Sequence, residues 1–303
     1  MSMERVLFQS QGVQLVGHLH LPDGAGPHCA VVILGPVAFV KEQAPTHYAT
    51  YLARAGFAAF VFDPRFHGES AGLPRRYESG KAKVDDVLAA LDMLAARRDI
   101  DAQRLFLLGV CQGVNWTVLA ANRNTHVKAL ALVAGHYLTP DVAALYLGGP
   151  HRVEERMARG AAARTLFEQT GEAGYIPIVN APDALLLSPA IAAWYLPWEH
   201  RGREAALGSR GLWENRLTAM SEELIWGHDV RPDAAKLSLP TLMVHADGAA
   251  SGPQIPRTIF ESMSSQAKKL VWLGEQVQFQ FYDDPVTVAA ASDEIAAWFR
   301  AQT

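Results

Sequence analysis

The sequence predicts an α/β protein: a mostly parallel, twisted sheet with helices on both faces and a helical cap inserted into it. Three observations carry this. Short runs that are apolar at every position, rather than alternating, suit strands buried on both faces of a parallel sheet. Helix-periodic stretches fall between those runs, as crossover connections require. Residues 138–236 then break the alternation with repeated prolines (Pro140, Pro150, Pro177, Pro182, Pro189 and Pro197) and four of the chain's seven tryptophans.

In chain order, "VLFQSQGVQLVGHLHLP" reads as a hairpin, alternating on both sides of a Gln-Gly turn. "CAVVILG" (29–35), "FAAFVFD" (57–63) and "RLFLLGV" (104–110) are the first parallel strands. Between them, "THYATYLARAG" is a helix closing at Gly56. "KAKVDDVLAALDMLAARRD" is another, with Val84, Val87, Leu88, Leu91 and Leu94 on one face. "VKALALVAG" (127–135), "LPTLMVHAD" (239–247) and "KKLVWLG" (268–274) complete the strands, and "PVTVAAASDEIAAWFR" is a closing helix. The core is thus expected over 1–137 and 237–303, with the cap at 138–236. That cap reads as an insertion with its own small core. It also reads as a lid that sets Trp194, Trp198, Trp213 and Trp226 as substrate-binding groups over a pocket at the sheet's C-terminal edge. The two readings are compatible.

Composition narrows the function. The chain has 303 residues, half of them apolar, and a net charge of −4, with no basic block to suit nucleic acid. The N-terminus lacks a basic stretch followed by an apolar one, so no signal peptide is expected. No window approaches ~18 consecutive apolar residues, so no membrane span is expected either. Cys29 and Cys111 are the only cysteines and suit a reducing cytoplasm, with Cys29 a small buried hydrophobe. Scattered histidines and two cysteines do not make a zinc site, and no cofactor is implied. The sequence leaves a homodimer open.

The chemistry centres on "LLGVCQGVNW" (107–116). Gly109, Cys111 and Gly113 have the G-x-S-x-G spacing of a nucleophile elbow, with cysteine for serine, between an apolar strand and a helical stretch. The simpler alternative is a buried structural cysteine at a glycine-rich turn. Cysteine needs a partner base less than serine does, because a fraction is thiolate at neutral pH, and a helix start favours that anion.

The chain resembles the α/β-hydrolase fold over nearly its whole length. "DPRFHGES" (63–70) resembles that fold's D-x-R-x-x-G-x-S segment. "GVCQG" (109–113), "FVKEQ" (39–43) and "GESAGLPR" (68–75) resemble a group of bacterial hydrolases and fungal polyketide transferases or thiohydrolases with a G-V-C-x-G elbow. The resemblance implies Cys111 as nucleophile and Asp247, in "VHADGAAS", as acid, with a turn residue as the alternative reading of Asp247. It implies a histidine base in an H-x-x-x-Y-D context, but "QFQFYD" puts Gln278 there. Glutamine orients or donates but cannot accept a proton as a base. His136, at the end of the strand beside the elbow strand, is the best substitute base; its alternative is a strand-end contact. His245 and His67 are weaker, and Glu42 is a pocket acid or a helix-start carboxylate. The oxyanion hole is expected from the backbone N–H of Gln112 with that of Val37 or Ala38.

The implied function is acyl transfer through a Cys111 thioester on a hydrophobic, polyketide-like acyl group, carried by CoA or a carrier protein. Without a histidine at 278, transfer, condensation or cyclisation is favoured over hydrolysis. The alternatives are a non-covalent cyclase or isomerase using the capped pocket, and a non-catalytic binding protein.

Overall fold

The first two strands, β1 (Ser2–Ser10) and β2 (Val13–Leu21), pair antiparallel in the hairpin the alternation predicts. Gln11 and Gly12 join them, both at positive φ, as a two-residue turn matched to strand twist requires. The structure, a computed structural model, describes residues 1–205 and 213–302. Next come β3 (His28–Leu34), α1 (Ala44–Arg54), β4 (Ala58–Phe62), α2 (Gly80–Ala95), β5 (Ile100–Val110), α3 (Gly113–Ala121) and β6 (Val127–Val133). The cap region holds α4 (Pro140–Leu147), α5 (Pro150–Thr170), β7 (Tyr175–Ile176), α6 (Pro189–Ala205), β8 (Leu217–Thr218), α7 (Ser221–Trp226) and α8 (Arg231–Lys236). The chain ends with β9 (Thr241–His245), α9 (Gln254–Ser262), β10 (Lys268–Trp272), α10 (Gln280–Asp283) and α11 (Pro285–Arg300).

The main sheet runs β1-β2-β4-β3-β5-β6-β9-β10. The pairings of β2 with β1 and β4 are antiparallel, and the other pairings of this sheet are parallel. From β3 the chain steps to β4 on one side and then to β5 on the other. That reversal opens a crevice at the C-terminal ends of β3 and β5.

The fully apolar runs have a simple cause: each central strand feeds two cores. Val32, Leu34, Leu105 and Leu107 face α2 and α3, while Val31, Ile33, Phe106 and Leu108 face α1 and α11. On the second face Phe299 of α11 stacks on Phe106 at 4.5 Å between centroids, and Phe57 meets Phe106 edge-on. Truncating such a buried phenylalanine costs about 3–5 kcal/mol.

The cap differs from the expectation of a separate small core. Trp213, Leu217, Ile225 and Trp226 join one continuous cluster with Val84, Val114 and Trp116 of the sheet's helix layer. α8 packs against α3 and α9, so the last part of 138–236 behaves as the crossover into β9 rather than as lid. The cap's two-stranded sheet of β7 and β8 is tied down where Thr218 N–H donates to Arg76 O at 3.0 Å. Residues 206–212 of the expected cap lie outside the described residues.

Candidate active site

Cys111 stands between the end of β5 and the start of α3 with φ +55°. A non-glycine residue in that region costs roughly 1–3 kcal/mol and is held only where its surroundings determine it. Here Cys111 N–H donates to Val133 O at 3.0 Å, and Cys111 O accepts from His136 N at 3.1 Å. A side chain at Gly109 would collide with Thr117 and Val114, and one at Gly113 with the carbonyl oxygens of Leu34 and Gly35. Both elbow glycines are therefore required by close approach.

The thiol opens on a cavity of about 370 Å³. Val37, His136, Tyr146, Tyr195, Phe279 and Tyr282 contribute to its wall, with no Asp, Glu, Lys or Arg among the described lining residues. Burial pushes the Cys111 thiol up to about 11. The polar groups nearby, the Tyr282 hydroxyl, the Gln112 N–H and the Gln278 amide, with the charge of Lys83, pull it the other way but less. The expected depression by the helix start is thus outweighed by desolvation.

His136 reaches the same cavity from the strand end beside the elbow. Its ring packs on Tyr146 at 4.8 Å, and its Nε2 is buried with no hydrogen-bond partner. Burial lowers its pKa to about 4, so the imidazole is neutral near pH 7. Asn115 braces the turn, donating to the carbonyls of Gln112 (2.8 Å) and His136 (2.9 Å). The Gln112 side-chain amide is buried with both polar atoms unpartnered.

Of the two second oxyanion donors expected, Ala38 N–H is already given to Glu78 Oε2 at 3.1 Å. Val37 lines the cavity, and its carbonyl accepts from Tyr195 at 3.2 Å. The Val37 N–H is therefore the better donor. Glu78 is itself buried, paired with Lys83 and 3.3 Å from His67 Nε2, while its N–H donates to Ser221 Oγ at 2.9 Å.

Gln278 lines the cavity beside Cys111, whereas Asp247 does not. Asp247 is exposed and accepts from Trp272 Nε1 at 3.0 Å. Gln278 Oε1 instead accepts from Ala250 N at 2.7 Å, and its Nε2 donates to Ala134 O (2.9 Å) and Tyr282 Oη (3.2 Å). Asp247, the acid the resemblance implies, stands apart from Gln278, each side chain being engaged elsewhere. His245 is buried in β9 against the carbonyls of Ala246 and Gly135. Glu42 pairs with Lys41 at 2.7 Å and stays out of the cavity.

None of the four cap tryptophans lines the cavity. Trp194 packs behind Tyr282 at 4.8 Å and donates to Asp283 Oδ2, Trp213 stacks on Tyr195 at 5.3 Å, Trp198 rests on Trp194, and Trp226 is buried in the continuous core. Tyrosines form the wall instead, with tryptophans as their backing. Sequence reading missed those tyrosines and the Glu78–Lys83 pair; only Tyr282 left a signal, four residues after Gln278.

Among the described residues, His18, Glu42 and Glu69 bring ligand-type atoms within 4.8 Å of one another. Lys41 Nζ already contacts Glu42 and Glu69 at 2.7 and 2.6 Å, so an ammonium holds the place of a cation. No described helix is long and apolar enough to cross a membrane.

A family model described as serine aminopeptidase, S33 matches residues 30–165. The uncharacterized protein YcjY of Escherichia coli is 27% identical over 289 residues, 91% of this chain and 90% of that protein. Thiohydrolase aneE of Aspergillus aculeatus is 28% identical over 176 residues, 56% of this chain and 52% of that one. Polyketide transferase claH of Penicillium crustosum is 32% identical over 127 residues, 40% of this chain and 41% of that one. The chain therefore matches about half the length, or less, of these two fungal enzymes. Among solved structures, the α/β hydrolase GrgF from Penicillium sp. sh18 has a TM-score of 0.82 at 21% identity, covering 100% of this chain and 99% of that one. At that identity the likeness is one of fold.

Proposed function

We propose that this chain, which has the α/β-hydrolase fold, is an acyl-transfer enzyme working through a Cys111 thioester. The observation that carries the proposal is Cys111 in left-handed backbone at the elbow, opening on an uncharged cavity beside an unpartnered imidazole. As Sγ attacks the carbonyl of an acyl thioester, the Cys111 proton is handed to His136 Nε2, which holds it only until the donor sulfur departs. The oxyanion accepts from the N–H groups of Gln112 and Val37. The donor's C–S bond then breaks, and the leaving thiolate recovers the proton from His136.

The acyl group is hydrophobic and polyketide-like, delivered by CoA or a carrier protein. Support comes from the uncharged aromatic wall and from relatives named thiohydrolase and polyketide transferase. Among the described residues no carboxylate hydrogen-bonds to His136, and its low basicity falls still further short of water than of a thiol. Transfer to a thiol, amine or carbanion, or cyclisation, is accordingly favoured over hydrolysis.

The test is turnover of a hydrophobic acyl thioester with and without an added thiol or low-pKa amine. Wild type should accelerate with acceptor, and Cys111→Ala should lose at least about 100-fold, the scale of covalent and acid–base contributions. A Cys111→Ala variant with full activity would remove the covalent step. The raised Cys111 pKa favours a protonated resting thiol, and that outcome would leave a non-covalent cyclase or isomerase as the reading.

A further inference from the structure

Gln278 has an orientation that its surroundings dictate. Ala250 N–H needs an acceptor and faces Oε1, while Ala134 O needs a donor and faces Nε2. The amide cannot be flipped without setting donor against donor and acceptor against acceptor. One Nε2 hydrogen therefore goes to Ala134 O, and the other to Tyr282 Oη. An amide NH₂ only donates, so toward Gln278 the Tyr282 oxygen is the acceptor. Its single hydroxyl proton is thereby left for the cavity, whose wall Tyr282 shares with Cys111. The Tyr282 ring cannot turn away: it is buried, edge-on to Trp194 at 4.8 Å and to Phe279 at 5.6 Å.

We propose that Tyr282 is a catalytic residue of this site, donating a hydrogen bond to the Cys111 thiolate, and that Gln278 is the positioning residue that aims its proton at sulfur. This rests on the reading of Cys111 as nucleophile. No proton is transferred from Tyr282. As Sγ gives its proton to His136, the neutral O–H···S contact becomes a charge-assisted one, which is roughly twice as strong. When the new C–S bond forms, the charge leaves sulfur and the contact relaxes. Glutamine at 278 thus supports the nucleophile through its neighbour, without itself accepting a proton.

The groups that face Cys111 define what else moves its titration. Tyr282 comes from α10, Tyr195 from α6 and Tyr146 from α4. His136 follows β6, and the charge of Lys83, paired with Glu78, acts from α2.

The experiment is the pH dependence of iodoacetamide alkylation at Cys111, followed by peptide mass mapping in the intact, folded chain with Cys29 as internal reference. With Tyr282→Phe the Cys111 rate at pH 7 should fall about tenfold, the change in thiolate fraction for one pKa unit, while Cys29 is unchanged. Gln278→Glu should slow it in the same direction, because a carboxylate there takes the tyrosine proton away from sulfur. Equal or faster alkylation of Cys111 in Tyr282→Phe would overturn the proposal. An unchanged rate in Gln278→Glu would overturn the positioning role. Retained turnover in Cys111→Ala would refute the nucleophile reading instead, and the alkylation comparison would still stand by itself.

Discussion

At Cys111 and Gln278 the structure explains why a cysteine and a glutamine occur together. A serine in this elbow would face an imidazole of low basicity and no carboxylate support, whereas a thiol ionises more readily and can be steadied by hydrogen bonds. The elbow was legible because Gly109, Cys111 and Gly113 fall within five contiguous residues, so their pattern is local. The surroundings of Gln278 were not, because Ala134 and Ala250 are brought in by the fold, as Trp272 is beside Asp247. This has a direct consequence for Gln278→His. A triad read from sequence alone would predict restored hydrolysis. With Asp247 bound to Trp272 and Ala250 N–H stripped of its acceptor, we expect a gain of less than about threefold. A stability loss of about 1–3 kcal/mol should accompany it, as for an unsatisfied buried donor. Hydrolysis of a nitrophenyl ester and urea unfolding would measure both. A gain of tenfold or more would mean that Asp247 swings into the site.

Among the elements, strands were read well because a run buried on both faces needs no partner information, as in β4 with all five residues buried. Their ends were read less well: β5 begins at Ile100, where polar Asp101, Gln103 and Arg104 hide the strand. The loop after β3, helix α2 and the cap meet at Glu78, which no local pattern announces. Its carboxylate holds Ala38 N–H and Lys83, and its N–H engages Ser221 of α7. Glu78→Ala leaves Lys83 buried without its partner and should cost about 3–5 kcal/mol. It should also loosen the loop that presents Val37. Urea denaturation would register the first effect, and single-turnover acylation of the fraction that stays folded would register the second. Unchanged acylation would separate Glu78 from the oxyanion loop.

The molecule as a whole joins a sheet with two cores to a cap that shares one of them, so the lid is not an independent unit. Its polar interior also makes stability depend on pH. His136 titrates at about 4 in the folded chain against an ordinary 6.5, so between those values the unfolded state binds more protons. Stability is fully present above about 6.5 and is lost as pH falls toward 4, by up to about 3 kcal/mol from this residue. His67 and His245, also lowered by burial, act in the same direction. Urea unfolding at pH 7 and pH 5 should show the drop, and His136→Gln should flatten it; an equal slope would mean that His136 is not buried neutral. The central claim, that Cys111 carries the acyl group, is tested most directly by intact-protein mass spectrometry at short times after a hydrophobic acyl thioester is supplied without acceptor. The account predicts one acyl increment on the wild type, mapped to Cys111, lost on adding a thiol and absent from Cys111→Ala. No increment on the wild type, with Cys111→Ala still turning over the substrate, would contradict it.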